Sequence, residues 1–267
     1  MRRILFIPYL VWMGIFVIIP IGLLVGYSFF DIEGELTFQN YQDFFSWSYL
    51  QMSISSFWYA FLITFFALII SYPLALVIRK LKLPMFWLLI IILPTWINIL
   101  LKTYAFIGIF SREGLANQIA TSLGLPELQL LFSDIGFVIV GVYIFIPFML
   151  LPVFNSIHGI DNSLISAAQD LGATRMQTIR KVIFPLSIEG VKAGIQVVFI
   201  PALSLFMITR LIAGNKVVTL GTAIEQQFLT AENWGMGSTI GVFLIIFMMI
   251  IMTFTRTKSK TAGVGRI

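Results

Sequence analysis

The stretch Asp161-Asn-Ser-Leu-Ile-Ser-Ala-Ala-Gln-Asp-Leu-Gly-Ala-Thr-Arg-Met-Gln-Thr-Ile-Arg-Lys-Val-Ile-Phe-Pro185 is a polar hub in an otherwise very apolar chain, and its reading organises the rest. Asp161 is placed to act as an N-cap, since its carboxylate accepts from the free N–H groups of a first helical turn. Gly172 is placed to stop the helix, because glycine enters the left-handed region at little cost. Thr174, with Gln177 three residues on, reads as a capping box opening a second helix. That helix is expected to end near Pro185. On the first helix Leu164, Ala168 and Leu171 share a face, and Ala167, Ala168 and Gly172 have small side chains or none. Another backbone can approach such a surface closely, as a docking element requires. The competing reading, a helix lying on the bilayer, lacks the large apolar side chains that bury in lipid.

The chain has 267 residues, 59% hydrophobic and 11% charged, with a mean hydropathy of +0.98. Soluble domains average about 25% charged and about 45–50% apolar residues, so these proportions belong to an integral membrane protein. Residues 1–267 read as a single membrane domain with its core over about 57–254, and membrane lipid is its solvent. Cysteine is absent, which removes disulfides, thiolate nucleophiles and cysteine metal sites. A single histidine, His158, removes multi-histidine zinc motifs.

Apolar runs predict six spans. They cover about Ile4–Phe30, with Pro8 and Pro20 inside, Phe57–Ile78, and Met85–Phe110, interrupted by Pro94 and carrying Lys102. They continue with Ile135–Phe154, Val191–Thr209 around Pro201, and Ser238–Phe254. Residues 31–56 and 211–235 read as outer segments, and Gly114–Leu123 as a surface helix. Of the 17 lysines and arginines, 13 fall on the side of the termini and the hub, counting Arg2, Arg3 and the tail bases Arg256, Lys258, Lys260 and Arg266. The positive-inside rule makes that side the cytoplasm, with both termini inside. This distribution also accounts for the net charge of +5 without a nucleic-acid partner.

The chain carries no Gly-x-x-x-x-Gly-Lys-Ser/Thr, so it has no P-loop of its own, and it has no His-Glu-x-x-His or Gly-x-Ser-x-Gly. The six spans hold no Asp or Glu, which weighs against a proton relay built on carboxylates and leaves a channel open.

Within the hub, Ala167-Ala168, Gly172-Ala173 and Phe184-Pro185 sit at the spacing of the EAA motif of binding-protein-dependent ABC importer permeases, and the chain resembles that family. The family's leading glutamate falls on Ser166. The resemblance extends over about residues 90 to 240. Pro94-Thr-Trp96, Lys102-Thr-Tyr-Ala105, Arg112-Glu-Gly-Leu-Ala-Asn117, Pro147-Phe-Met-Leu-Leu-Pro152, Gln226-Gln-Phe-Leu229 and Asn233-Trp234 look like permeases of spermidine/putrescine importers. The resemblance implies an all-α, six-helix type I permease fold and no enzymatic activity in this chain. It implies a coupling segment, residues 161–185, in which Ser166, Ala167, Ala168, Asp170, Gly172, Ala173 and Pro185 meet a cytoplasmic ATPase dimer. ATP and magnesium would be held by that ATPase, and a second permease and an extracytoplasmic solute-binding protein complete the machine in the bacterial inner membrane.

Trp96, Tyr104 and Tyr143 offer aromatic faces to a cationic amine; packing against helices or lipid is the commoner use of such residues. Asn98 in a proline-interrupted helix is a polar candidate for the path, with helix–helix hydrogen bonding as its alternative. Lys102 and Arg210 either snorkel to the outer interface or gate the path. The acids Asp31, Asp43, Glu113, Asp134, Glu225 and Glu232 lie in outer segments and are expected at the mouth of the route. Importers of other solutes (an iron complex, thiamine, a phosphonate) and a six-helix channel or scaffold remain the rival readings.

Overall fold

The computed structural model describes residues 6–214 and 216–255. The basic residues Arg2 and Arg3, the first residues of the first span, and the tail bases all lie outside the described residues. The described chain is helical, with one isolated bridge between Phe30 and Leu36. Its helices are α1 (Ile7–Tyr27), α2 (Gln39–Phe44), α3 (Trp47–Arg79), α4 (Pro84–Ile92), α5 (Ile99–Phe110) and α6 (Leu115–Ser122). They continue with α7 (Asp134–His158), α8 (Asn162–Asp170), α9 (Arg175–Leu203), α10 (Met207–Ile212), α11 (Leu220–Leu229) and α12 (Trp234–Phe254). Five of these, α1, α3, α7, α9 and α12, are long and apolar enough to cross a membrane, and a bent pair around Trp96 makes a sixth.

The core is a three-helix packing of α3, α7 and α9. On α3 the buried positions Ser53, Ser56, Ala60, Ile63, Thr64, Ala67, Ser71, Ala75 and Ile78 recur every three or four residues, a stripe of mostly small side chains. In lipid, helices gain little from hydrophobic burial against each other, so close backbone approach through small residues supplies the contact. Three of the four buried hydroxyls are satisfied within the helix: Ser53, Ser56 and Thr64 donate to the carbonyls of Tyr49, Met52 and Ala60 at 2.7–2.9 Å, while Ser71 donates to α7. α9 reaches α7 through Gly190, where a Cβ would lie 2.5 Å from the Pro152 carbonyl oxygen. A second, smaller core joins Phe44, Leu220, Ala223, Met236, Ile240 and Leu244.

Four boundaries differ from the sequence expectation. α3 begins at Trp47 rather than near Phe57, because its polar first turns bond to their own carbonyls and to α11. The third span is broken: Pro84–Trp96 and Ile99–Ser122 meet at 90°. Pro94 lies in a 3₁₀ turn, Leu93–Trp96, and Ile97 is extended before Asn98 caps the next helix. The helix opened by Thr174 does not end near Pro185 but continues to Leu203, through a π turn at Ile179–Ile183. Widening the turn just ahead of a proline relieves the clash of its ring with the preceding carbonyls. The fifth span stops at Leu203, and Thr209 and Arg210 belong to the separate short helix α10. The surface helix expected over Gly114–Leu123 is α6.

Candidate functional site

The hub forms as its sequence dictates. Asp161 accepts the Ser163 N–H at 2.8 Å and caps α8. That bond from the backbone N–H holds the exposed Asp161 carboxyl below its usual range. α8 ends in a Schellman turn, with Ala173 N–H bonded to Ala168 O at 3.0 Å and Gly172 N–H to Gln169 O at 2.9 Å. Gly172 has φ +81°, a conformation L-residues other than glycine avoid at a cost of about 1–2 kcal/mol. Thr174 and Gln177 form the reciprocal capping box, at 3.3 and 2.8 Å. Two tight turns therefore hold an exposed nine-residue helix at a fixed angle to α9.

α8 has two faces. Asn162, Ile165 and Gln169 turn toward α3 and α9 and line a cleft of about 340 Å³. Leu164 and Leu171 point away from the chain, Leu171 being 89% exposed. Ser166, Ala167, Asp170 and Gly172 are exposed beside them, with Ala168 and Ala173 half-buried. Among the described residues, none beyond its own chain neighbours lies within 4 Å of a Cβ built on Gly172. Pro185 is exposed within α9, beyond the π turn.

The residues singled out for the path divide. Lys102 and Tyr143 come together with Pro94 and Pro147 around an almost wholly apolar cleft of about 290 Å³. Trp96 is 82% exposed and Tyr104 is exposed, both apart from that cleft's lining. Asn98 bonds its own helix, accepting the Leu100 N–H at 2.8 Å as the N-cap of α5. Arg210 pairs with Glu225 at 2.9 Å across α10 and α11.

Of the six acids expected at the mouth, Asp31, Asp43 and Glu225 are engaged locally. Asp31 accepts two backbone N–H groups of its own loop, Glu33 and Glu35, each at 2.9 Å. Asp43 accepts from the Gln39 side chain at 2.9 Å, and Glu113 and Glu232 are exposed. Asp134, the first residue of α7, is different: it lines a cleft of about 590 Å³ between α3 and α7 with Trp58, Tyr59, Phe66 and Tyr143. Sequence reasoning named Asp134 and Tyr143 but missed Trp58 and Tyr59. They lie about three turns into α3, beside the start of α7, a juxtaposition that only the α3–α7 packing creates. The tie of Arg79 to α8, described below, was also missed.

Comparison with known proteins agrees with this geometry. Residues 81–257 match the family described as the binding-protein-dependent transport system inner membrane component. The chain is 32% identical over 251 residues to the spermidine/putrescine transport system permease protein PotB of Haemophilus influenzae, covering 90% of this chain and 88% of that one. It is 31% identical to the PotB of Escherichia coli, with 90% and 91% covered. Among solved structures it is similar to a chain of a bacterial alginate ABC transporter in complex with its alginate-bound periplasmic protein. That likeness has a TM-score of 0.81 at 18% identity, over 95% of this chain and 92% of that chain, and concerns the fold. The fold is that of a type I ABC importer permease. With a family match over more than half its length, the chain belongs to the binding-protein-dependent transport system inner membrane components.

Proposed function

We propose that this chain is the permease half of an ATP-driven importer of spermidine and putrescine. The observation that carries its coupling to ATP is the rigidly capped α8, whose Leu164, Ala167 and Leu171 are exposed beside the half-buried Ala168. A cytoplasmic ATPase dimer docks there, with Ser166, Asp170, Gly172, Ala173 and Pro185 at or beside the contact. ATP and magnesium sit on the ATPase, and this chain makes no covalent bond. Closure of the ATPases draws α8 toward its counterpart in a second permease and reorients the path between the two chains. An extracytoplasmic solute-binding protein delivers the solute on the opposite face, and both termini are cytoplasmic, as the lysine and arginine asymmetry favours.

The polyamine assignment is supported by the identity to the two PotB proteins and by the cleft of Asp134, Trp58, Tyr59 and Tyr143. A polyamine is a methylene chain with ammonium groups. Apolar walls suit the chain, aromatic faces attract the cation at about 0.5–2 kcal/mol each, and one carboxylate at the end draws it in. A path made of such modest sites releases what it binds, as conduction requires. The test is uptake by proteoliposomes holding both permeases, the ATPase and the binding protein. Spermidine or putrescine, but not thiamine, a ferric complex or a phosphonate, should be taken up with ATP inside; uptake of one of the others in their place sinks the assignment.

A further inference from the structure

We infer that Arg79 is a positioning residue through which α3 sets the pitch of the docking helix α8, so that one rod joins the outer segment to the surface that meets the ATPase. This rests on the proposed reading of α8 as the ATPase contact.

Arg79 is the last residue of α3. Its Nη2 donates to the Ile160 carbonyl oxygen at 2.6 Å and to the Asn162 Oδ1 at 2.9 Å. Ile160 immediately precedes the cap Asp161, and Asn162 is the first residue of α8. The guanidinium is planar and its donors are fixed relative to one another, so two acceptors held by it are fixed in direction as well as distance. The surrounding cleft contains Lys80 and Arg175 and no acid. No carboxylate in that lining competes with the carbonyl and the amide for Arg79.

The other end of α3 is tied just as specifically. Ser56 accepts the N–H of Leu220, the first residue of α11, at 2.7 Å, and Tyr49 accepts from the Gln227 side chain at 2.9 Å. Between the ends, Ser71 donates to the Ile146 carbonyl at 3.2 Å, and the Tyr72 and Ser187 hydroxyls share a bond of 3.0 Å. α3 is thus an unbroken helix of 33 residues bonded to α11 at one end, to α7 and α9 in the middle, and to α8 at the other. A tilt imposed on α11 reaches α8 through Arg79. Nη1 of Arg79 is buried and has no acceptor among the described residues, so the guanidinium's hold on α8 runs through Nη2.

The test exploits the absence of native cysteine. Ser163→Cys and Lys82→Cys are spin-labelled in the full chain in nanodiscs, and the distance between the labels is measured with and without Arg79→Met. In parallel, the complete importer is assayed for the ratio of ATP hydrolysis with and without solute-loaded binding protein. Arg79→Met is expected to broaden the distance distribution and to lower the stimulation ratio by about ten-fold, within the usual range for coupling between sites. Asn162→Ala should do both to a smaller extent, and Arg79→Lys combined with Asn162→Asp, which replaces the pair by an ammonium and a carboxylate, should recover most of the ratio. An unchanged distribution in Arg79→Met overturns the inference, whatever the ratio does, and so does an unchanged ratio. If Arg79→Met does not insert, Asn162→Ala decides by the same two readouts. If the unaltered chain recruits no ATPase while its variants still broaden the distribution, Arg79 positions α8 and it is the ATPase reading that falls.

Discussion

Ser56 and Leu220 lie 164 residues apart and share a hydrogen bond of 2.7 Å, the Leu220 N–H donating to the Ser56 hydroxyl in a buried setting. Leu220 opens α11, where the first N–H groups have no partner within their own helix. Ser56→Ala removes the acceptor and leaves a buried donor unpaired, a loss of about 1–3 kcal/mol. Thermal unfolding of the purified chain in detergent should show the lower midpoint, and Ser56→Thr should retain most of the stability. An unaltered midpoint in Ser56→Ala would mean that water replaces the serine.

Gly190 sets the distance between α9 and α7. A Cβ there would stand 2.5 Å from a backbone oxygen, Pro152 O, and backbone cannot rotate away as a side chain can. Gly190→Leu is expected to separate the two helices and abolish a properly folded product, and Gly190→Ala to cost about 1–3 kcal/mol, the usual range for overpacking. Yield of monodisperse protein and its unfolding midpoint report both.

Gly172 is the reverse case, with a constrained backbone and open space around it. Gly172→Asn, which tolerates φ > 0, should fold normally and lose part of the binding-protein-stimulated ATPase rate. Gly172→Leu should insert at normal levels and lose nearly all of it, because its side chain stands on the docking face. Full stimulation in Gly172→Leu would remove α8 from the ATPase contact.

Asp161 makes the start of α8 sensitive to acid. Its pKa is depressed in the folded chain by the Ser163 N–H, below the ordinary 3.8. The cap's contribution is therefore complete above pH 3.8 and lost as pH falls through the lower folded value. Asp161→Ser keeps a cap without a titrating group, and it should remove that acid-dependent fraying as read by hydrogen exchange of the α8 amides.

Asp134 and Glu225 differ in what surrounds them, and uptake should report the difference. Glu225 is already paired with Arg210, whereas Asp134 lines the aromatic cleft of Trp58, Tyr59 and Tyr143. Asp134→Asn is expected to lower spermidine uptake several-fold and to flatten its dependence on salt, since a screened attraction has been removed. Glu225→Gln should change uptake less. Equal effects from the two substitutions would place the entry elsewhere.

The caps and stops of the hub were legible in the sequence because they are local: Asp161, Gly172 and the Thr174–Gln177 pair each act within four residues. Span number was legible because a hydrocarbon layer imposes length and composition. The early start of α3 was hidden, because Ser48, Gln51, Ser53, Ser55 and Ser56 read as a polar loop when the carbonyl partners of Ser53 and Ser56 are not in view. Continuity through Pro185 depended on a π turn that no residue type announces. The abrupt bend after Trp96 came from Pro94 together with an extended Ile97, where proline alone suggested an interruption but not its angle. Among the site residues, Asn98 had a local use as a cap, and the Arg210–Glu225 and Arg79–Asn162 pairs join parts of the chain whose proximity is decided by packing alone.

The length of α3 has a consequence for the lipid around it. Thirty-three residues at about 1.5 Å each make a rod of roughly 50 Å, against a hydrocarbon layer of about 30 Å. Its apolar part, from about Phe57 to Ile78, is about 33 Å long and crosses that layer with room for some tilt, so Trp47–Ser56 extends beyond the acyl chains. The bonds from Tyr49 and Ser56 to α11 therefore lie at headgroup depth. A thicker bilayer draws that headgroup level up over the bonds, and a thinner one uncovers more of the rod. Acyl-chain length thus becomes a variable that changes the wetting of the outer joint while leaving the packed middle of the molecule untouched.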